Sequence, residues 1–313
     1  MRARLAAPIG GACLANAMKQ LHPAVYLATQ ARRRTLACRL AVILAMAAAL
    51  IGISTVSQAA PVRLRVGIVP QSASAKSAEA WTPLLAHLSE TTGLDLRFAT
   101  AKNIPTFEAR LAEGEYDVAY MNPYHYTVFH EKPGYEAIAH AKNTKLRGLI
   151  VVHKESPIQD VAGLAGLTVG FPAPTAFAAT IIPLAYLQNQ QIAVMPRYLG
   201  SHDSVYLNVA QQRIPAGGGI VQSLGKLPED VKGQLKVLWM SESYTPHAIA
   251  VHPRVNADVV QKLTAALIAL DADPRNRDLL AEIGLPGFVA ATDSQWDGIK
   301  ALHINLLEPL LKE

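Results

Sequence analysis

Residues 113–126, EGEYDVAYMNPYHY, contain the pattern that decides the fold. Gly114 ends a helical pattern, and the largely apolar run Asp117–Met121 predicts a short buried strand. Asn122 and Pro123 then predict a helix start, with the Asn122 side chain as the N-cap and Pro123 in the first turn. Helix, strand and helix in such close succession are typical of βαβ units.

The same alternation continues on both sides of this stretch, which favours an α/β fold built from parallel βαβ units. Strands are predicted at Val62–Val69, Leu94–Ala99, Tyr135–Ala141, Gly148–His153, Leu167–Phe171, Arg197–Gly200, Leu235–Met240 and Ala248–His252. Helices are predicted at Ser77–Thr92, Ile104–Glu113, Ala176–Asn189, His202–Gln211, Asn256–Leu270, Arg275–Ile283 and Asp293–Leu307. The glycine-rich stretch Ile214–Val221 is predicted to be a turn.

The alternation divides into two α/β lobes with a ligand cleft between them. We expect residues 61–147 plus 247–313 to form lobe one and residues 148–246 to form lobe two. The chain would cross between the lobes near Arg147 and again near Pro246. Loops at the carboxyl ends of the strands would face the cleft, where open α/β sheets bind their ligands.

The first 59 residues have the composition of a secretory signal. They contain seven Lys/Arg and no Asp/Glu, and they include the apolar run LAVILAMAAALIGI at residues 40–53. Small residues follow at 54–60, so a signal peptide over residues 1–59 and a periplasmic location are predicted. A membrane anchor is the alternative, although 14 apolar residues are few for a bilayer-spanning helix.

The basic character of the chain belongs to this leader. The whole sequence has 29 Lys/Arg and 24 Asp/Glu, and without the leader 22 Lys/Arg remain against the same 24 acidic residues. This balance gives no footprint for nucleic acid. Both cysteines, Cys13 and Cys38, also lie in the leader, so the mature chain has no disulfide, thiol nucleophile or cysteine metal site.

EGEYDVAYMNPYHY is one of an ordered series of motifs. RVGIVP at residues 65–70 and W-x-P-L-L-x-x-L at Trp81–Leu88 precede it, and Leu164–Pro172 and GSHDS at residues 200–204 follow it. In this order and spacing, the chain resembles the periplasmic phosphate/phosphite/phosphonate-binding proteins of ABC transporters. The resemblance covers nearly the whole mature chain and implies a two-lobed periplasmic-binding-protein fold of type II.

The resemblance also implies a function and partners. The protein would capture phosphonate, phosphite or phosphate by lobe closure and would dock on an ABC permease with its ATPase. It would be a monomer without enzymatic activity, cofactor or metal. It would bind no nucleic acid and would not stay inserted in the membrane after signal cleavage.

The chain departs from the family pattern at three places. Ala176-Phe177-Ala178-Ala179 occupies the position of the family's Ser-Thr-Ser-Gly run at the ligand helix. A family tyrosine is replaced near Ile104, and a family acidic residue is lost within residues 214–219. The fold and the transport role are expected to survive these changes, whereas the identity of the ligand is not fixed by them.

Helix N-termini can hold an oxyanion without arginine, because their backbone N–H groups are free and the helix dipole favours negative charge there. Three predicted helix starts, after Met121, Phe171 and Gly200, would point into the cleft. The candidate ligand-binding residues are Tyr120, Asn122, Tyr124, Tyr126, Thr175, Ala176, Phe177, Ser201, His202, Asp203 and Gly218. Ordinary helix capping and core packing of the tyrosines are the structural alternatives. For Gly218, these are a close approach to ligand or a surface turn.

Two other function classes are alternatives to solute capture. A hydrolase or metalloenzyme is disfavoured because the adjacent residues Ser201–Ser204 cannot form a catalytic relay, and the chain has no G-x-S-x-G or H-E-x-x-H motif. No catalytic residue is therefore predicted. A periplasmic sensor that passes the same ligand signal to a separate signalling chain stays open as an alternative.

Overall fold

The computed structural model describes residue 32, residues 38–42 and residues 60–311. The predicted signal peptide and its cleavage site lie almost wholly outside these residues. Among the described residues, none of the helices has the length and apolarity needed to cross a bilayer.

Strands and helices alternate from residue 63 onward. The strands are β1 Arg63–Ile68, β2 Asp95–Ala99, β3 Val118–Met121, β4 Glu136–Ala141, β5 Gly148–His153, β6 Thr168–Phe171, β7 Met195–Tyr198, β8 Ala216–Ile220, β9 Leu235–Met240, β10 Ala248–Val251 and β11 Phe288–Ala290. The α-helices are α1 Ser74–Thr92, α2 Ile104–Ala112, α3 Pro123–Glu131, α4 Ile182–Asn189, α5 His202–Ala210, α6 Val221–Gly225, α7 Glu229–Lys232, α8 Ala257–Ala269, α9 Arg277–Ile283 and α10 Asp297–Lys300.

The described strands form two mixed sheets with related topology. The first sheet has the order β11-β4-β10-β3-β1-β2, and the second has the order β7-β6-β8-β5-β9. Each contains a parallel trio from successive βα units, β2-β1-β3 and β7-β6-β8. Beside each trio lies an antiparallel strand that the chain enters directly after crossing from the other sheet, β10 and β5 respectively. The predicted parallel βαβ units are thus present within sheets of mixed direction.

We call the residues around the sheet β11-β4-β10-β3-β1-β2 the first-sheet part and those around the sheet β7-β6-β8-β5-β9 the second-sheet part. Two chain segments connect these two parts. Residues 142–147 lead from β4 to β5, and residues 241–247 lead from β9 back to β10. The segments are joined by a pair of backbone hydrogen bonds between Leu146 and Tyr244, each 2.9 Å long. The chain thus passes between the two parts through two short segments that are hydrogen-bonded to each other.

The predicted glycine-rich turn at Ile214–Val221 is wrong. The chain forms β8 there, a fully buried strand between β6 and β5. A Cβ atom on Gly217 or Gly219 would collide with Val205 or Tyr206 of α5, and one on Gly218 would collide with the carbonyl of Ala179. The glycines therefore allow close packing on both faces of the strand. A run of glycines is also typical of turns, so the sequence pattern alone did not indicate a strand.

The predicted helix Asp293–Leu307 is also wrong in its second half. A 3₁₀ turn at Asp293–Trp296 leads into α10, and the helix ends at Lys300. His303 adopts a left-handed backbone conformation, with φ of 48°. The N–H of Leu307 donates to the Tyr124 hydroxyl at 2.9 Å instead of to a helical carbonyl.

The predicted helix Ala176–Asn189 begins with a wider turn than expected. Residues Phe177–Ile181 form a π-helical turn before α4 begins at Ile182. Pro183 has no N–H to offer the carbonyl of Ala179, so a regular α-helical ladder cannot form at this point. The start of this helix is consequently displaced relative to a straight α-helix.

One apolar cluster continues from the first-sheet part into the second-sheet part. It contains Val69, Tyr124 and Trp296 from the first and Phe177 and Ile220 from the second. All five side chains are buried. The two parts of this compact unit therefore share core contacts around the connection.

Candidate functional site

A cavity lies where the helices after β3, β6 and β7 begin. It encloses about 300 Å³ of atom-free space, part of it open to solvent, and we call it the tip cavity. Residues from both sheet parts line it: Val69, Gln71, Ile104, Asn122, Leu146, Ala176, Phe177, Ala178, Ala179, His202, Ile220 and His247. No lysine or arginine is among these lining residues.

The segment Ala176–Ala179, which we call the tip segment, lines this cavity and contains free backbone donors. The N–H of Thr180 donates to the carbonyl of Ala176 at 2.7 Å. The N–H groups of Phe177, Ala178 and Ala179 have no acceptor among the described residues. The first N–H groups of a helix lack intrahelical partners and lie at the positive end of its dipole, so these three donors suit an anion.

Two glycines hold the tip segment against the second sheet. A Cβ atom on Gly148 of β5 would collide with the carbonyl of Ala178, and one on Gly218 of β8 would collide with the carbonyl of Ala179. Because the atoms in the way are backbone, neither collision could be relieved by a side-chain rotation. The position of the three free amides is thus set by bare backbone on two neighbouring strands.

A buried polar network connects the tip segment to the first-sheet part. Glu108 of α2 is 3% exposed and accepts hydrogen bonds from His125 Nε2, at 2.8 Å, and from the Thr175 hydroxyl. The Asn122 side chain caps α3 by accepting from the N–H of His125 at 2.8 Å, and its Nδ2 donates to the Thr175 carbonyl at 3.3 Å. Nδ1 of His125 is buried without a hydrogen-bond partner in the described chain.

His202 is the polar side chain from α5 on the tip cavity. The backbone N–H of His202 donates to the backbone carbonyl of Gln71 at 3.1 Å, and this hydrogen bond joins the two parts of the molecule. Its Nδ1 lies 3.0 Å from the hydroxyl oxygen of Ser223, and burial lowers the pKa of His202 to about 4. The ring is therefore neutral at pH 7. Since the Ser223 hydroxyl can donate or accept, Nε2 of His202 can carry either a proton or a lone pair.

His247 lies on the opposite wall, at the end of the second crossing segment. Its Nε2 accepts from the Gln71 side-chain amide at 3.0 Å, and its ring stacks on Tyr120 with centroids 5.0 Å apart. Burial, assisted by the nearby His125, His202 and Lys226, lowers the pKa of His247 to about 3. The tip cavity thus holds two neutral imidazoles at pH 7.

The predicted site residues fall into three groups. Asn122, Ala176, Phe177 and His202 line the tip cavity. Thr175 is not among the lining residues, and its hydroxyl donates to Glu108. Ser201 is the N-cap of α5, and its hydroxyl accepts from the N–H of Ser204 at 3.1 Å. Tyr120 and Asp203 line a neighbouring compartment instead.

The three remaining predicted residues line neither the tip cavity nor the neighbouring compartment. The Tyr124 hydroxyl accepts from the N–H of Leu307, and the Tyr126 hydroxyl donates to Asp293 at 3.1 Å while its ring packs on Trp296. Gly218 is enclosed within β8. Tyr124 and Tyr126 thus pack in the core, which is the alternative stated for the tyrosines, and Gly218 lies in a buried strand instead of a surface turn.

Sequence reasoning missed Gln71 and Glu108 as parts of the site. Gln71 directly follows the RVGIVP strand, so the rule that ligands bind at strand carboxyl ends could have indicated it. The only sequence signal for His247 was its position next to the predicted crossing near Pro246. Glu108 carried no signal, because it sits inside an ordinary helical pattern. Among the described residues, no group of three or more His, Cys, Asp or Glu could hold a metal ion.

Comparison with known proteins agrees with this architecture. A curated relative, the phosphate-import protein PhnD of Mycolicibacterium smegmatis, is 23% identical over 286 aligned residues, covering 79% of this chain and 87% of the relative. A binding-protein component of an ABC phosphonate transporter from Pseudomonas aeruginosa superposes with a TM-score of 0.72 at 18% identity, covering 80% of this chain and 88% of that one.

A second solved structure is PhnD1 from Prochlorococcus marinus in complex with methylphosphonate. Its TM-score is 0.70 at 16% identity, with 77% of this chain and 96% of that chain covered. These similarities confirm the predicted two-lobed periplasmic-binding-protein fold. The model of the family described as "ABC transporter, phosphonate, periplasmic substrate-binding protein" matches residues 66–296, well over half of the chain. The chain therefore belongs to this family of periplasmic substrate-binding proteins of ABC transporters.

Proposed function

We propose that this protein captures a small phosphorus oxyanion in the tip cavity and prefers a phosphonate or phosphite to phosphate. The observation that carries the proposal is the set of three unpartnered N–H groups on Phe177, Ala178 and Ala179, residues that line the same cavity as His202. The methylphosphonate complex of one structural neighbour and the phosphate-import role of the curated relative support this ligand class.

The preference follows from the apolar part of the lining. The side chains of Val69, Ile104 and Phe177 offer no hydrogen bond to a fourth oxygen of a tetrahedral anion. A phosphonate or phosphite can place its P–C or P–H vertex there, whereas phosphate or sulfate would leave an oxygen unpaired. Such an unpaired polar atom costs on the order of 1–3 kcal/mol, or about ten- to hundredfold in affinity.

The division into lobes at residues 61–147 plus 247–313 and 148–246 is part of this proposal, and it is supported by the assignment of strands to the two sheets. Lobe closure would make the contacts between Glu108 and Thr175, between Asn122 and Thr175, and between Gln71 and His202. The Leu146–Tyr244 link would act as the hinge. The loaded monomer, working in the periplasm after removal of residues 1–59, would deliver its ligand to an ABC permease and its ATPase without chemical change.

Calorimetric titration of the purified protein with phosphite, methylphosphonate, phosphate and sulfate tests this function. We expect one-to-one binding, tightest for methylphosphonate or phosphite. In His202→Ala, affinity should fall about ten- to hundredfold because one hydrogen bond to a charged ligand is lost. Folding should be retained, because the Ser223 hydroxyl still has a hydrogen-bond partner in the Tyr206 hydroxyl, 2.9 Å away.

His87→Ala is the matched control, because His87 lies on α1 outside the lining and should leave affinity unchanged. Failure of the wild-type protein to bind any of the three phosphorus anions would refute the proposed function. Equal affinity of folded His202→Ala and wild type would remove His202 from the site.

A further inference from the structure

A second compartment of the cleft adjoins the tip cavity. It contains about 610 Å³ of atom-free space, part of it open to solvent, and Val69 and Gln71 line both spaces. We call it the side compartment. The two spaces therefore share a wall that Val69 and Gln71 form.

Aromatic and hydroxyl groups form the inner wall of the side compartment. Trp81 of α1 packs against Tyr120 with ring centroids 4.9 Å apart, and Ser77 and Ser223 add buried hydroxyls. The Tyr120 hydroxyl has no hydrogen-bond partner within the described part of the chain, and burial raises its pKa, so it stays a proton donor. The wall suits a short organic chain that ends in a hydrogen-bond acceptor.

Two lysines, one from each part of the molecule, flank the same space. Lys76 of α1 has its ammonium 3.4 Å from the Asp203 carboxylate. Lys226 donates to the backbone carbonyl of Ile283 at the end of α9 and has no carboxylate partner among the described residues. Partial burial of its ammonium and the nearby charge of Lys76 lower the pKa of Lys226. An anion between the two lysines would relieve this repulsion.

We propose that the side compartment binds the organic substituent of a phosphonate and that Lys226 and Lys76 bind a carboxylate on that substituent. The inference rests on the proposed function and narrows its substrate class to phosphonocarboxylates. Asp203 pairs directly with Lys76, and its charge also acts on Lys226 without an ion-pair contact. Glu282 lines the compartment as an exposed residue and is not among the charges that act on the pKa of Lys226.

The test is a comparison of phosphonoacetate, 3-phosphonopropionate and methylphosphonate by calorimetry at pH 7. For the wild-type protein, we expect at least one phosphonocarboxylate to bind about tenfold or more tightly than methylphosphonate, as one charge-assisted contact supplies. In Lys226→Gln, the ratio of the two affinities should fall about tenfold. Lys226→Arg should keep the preference, and Lys232→Gln, an exposed lysine of α7 paired with Glu229, is the matched control.

Each outcome decides between the two claims. If methylphosphonate binds but neither phosphonocarboxylate is preferred, the side-compartment proposal is overturned and the proposed function stands. If Lys226→Gln remains folded by thermal melting and keeps the wild-type ratio, the role of Lys226 is overturned. If no phosphonate binds at all, the side-compartment proposal is overturned, and the proposed function fails with it only if phosphite and phosphate do not bind either.

Discussion

At pH 5 the protein should be about 4 kcal/mol less stable than at pH 7 from two histidines alone, by the linkage between proton binding and folding. Burial lowers the pKa of His202 to about 4 and that of His247 to about 3, from an ordinary value of 6.5. At pH 5 each ring is neutral in the folded protein and protonated in the unfolded chain. Each therefore contributes about 2 kcal/mol of the loss.

The sign follows from proton counts. Between the folded pKa values and pH 6.5 the unfolded chain binds more protons, so the free energy of unfolding rises with pH in this window and levels off above it. Urea unfolding at pH 5, 6, 7 and 8 measures the slope. The His202→Asn, His247→Gln double variant should lose most of the slope, because the groups that remain titrate in both proteins. A wild-type slope that the double variant retains in full would show that these rings do not cause it.

Gly218→Ala should both destabilise the protein and abolish tight phosphonate binding. The added methyl group would collide with the carbonyl of Ala179 and with the Phe171 ring. Relief requires the tip segment to move off β8, which we expect to lower the free energy of unfolding by about 1–3 kcal/mol, as overpacking does. The same movement displaces the free N–H groups of Phe177–Ala179 from the ligand, so affinity falls even in molecules that stay folded.

Gly298→Ala is the control for this change. Gly298 lies in α10, and a Cβ atom there meets nothing within 4 Å. Its stability should be equal to or above that of wild type, because alanine favours a helix over glycine. The two variants are compared by urea unfolding and by calorimetry with methylphosphonate. Wild-type affinity in Gly218→Ala would contradict the role assigned to the contact between β8 and the tip segment.

Much of the fold could be predicted because local patterns and global packing agree. The Asn122 cap and Pro123 set the start of α3 as predicted, and β5 and β9 have the predicted bounds. Hydrophobic periodicity did not predict β8, because its glycines have no side chains to form a pattern and are also typical of turns. It also failed after Lys300, where a tertiary contact to Tyr124 takes the place of a helical hydrogen bond.

The candidate site could be predicted in its principle but not in its details. Helix starts after β3, β6 and β7 do meet at one cavity, because chain order fixes which edge of a sheet they occupy. Which side of α3 faces that cavity depends on packing against Trp296 and Leu307, so Tyr124 and Tyr126 could not be oriented from sequence. Glu108 acquires its role only through contact with Thr175, a residue 67 positions away.

The central claim is that backbone amides of the tip segment hold the phosphorus anion. Amide NMR spectra of the protein during a methylphosphonate titration test it most directly. We predict saturable downfield proton shifts for Phe177, Ala178 and Ala179 that exceed those of other helix starts, because these N–H groups gain a charged acceptor. Saturable binding that leaves these three resonances in place would contradict the account.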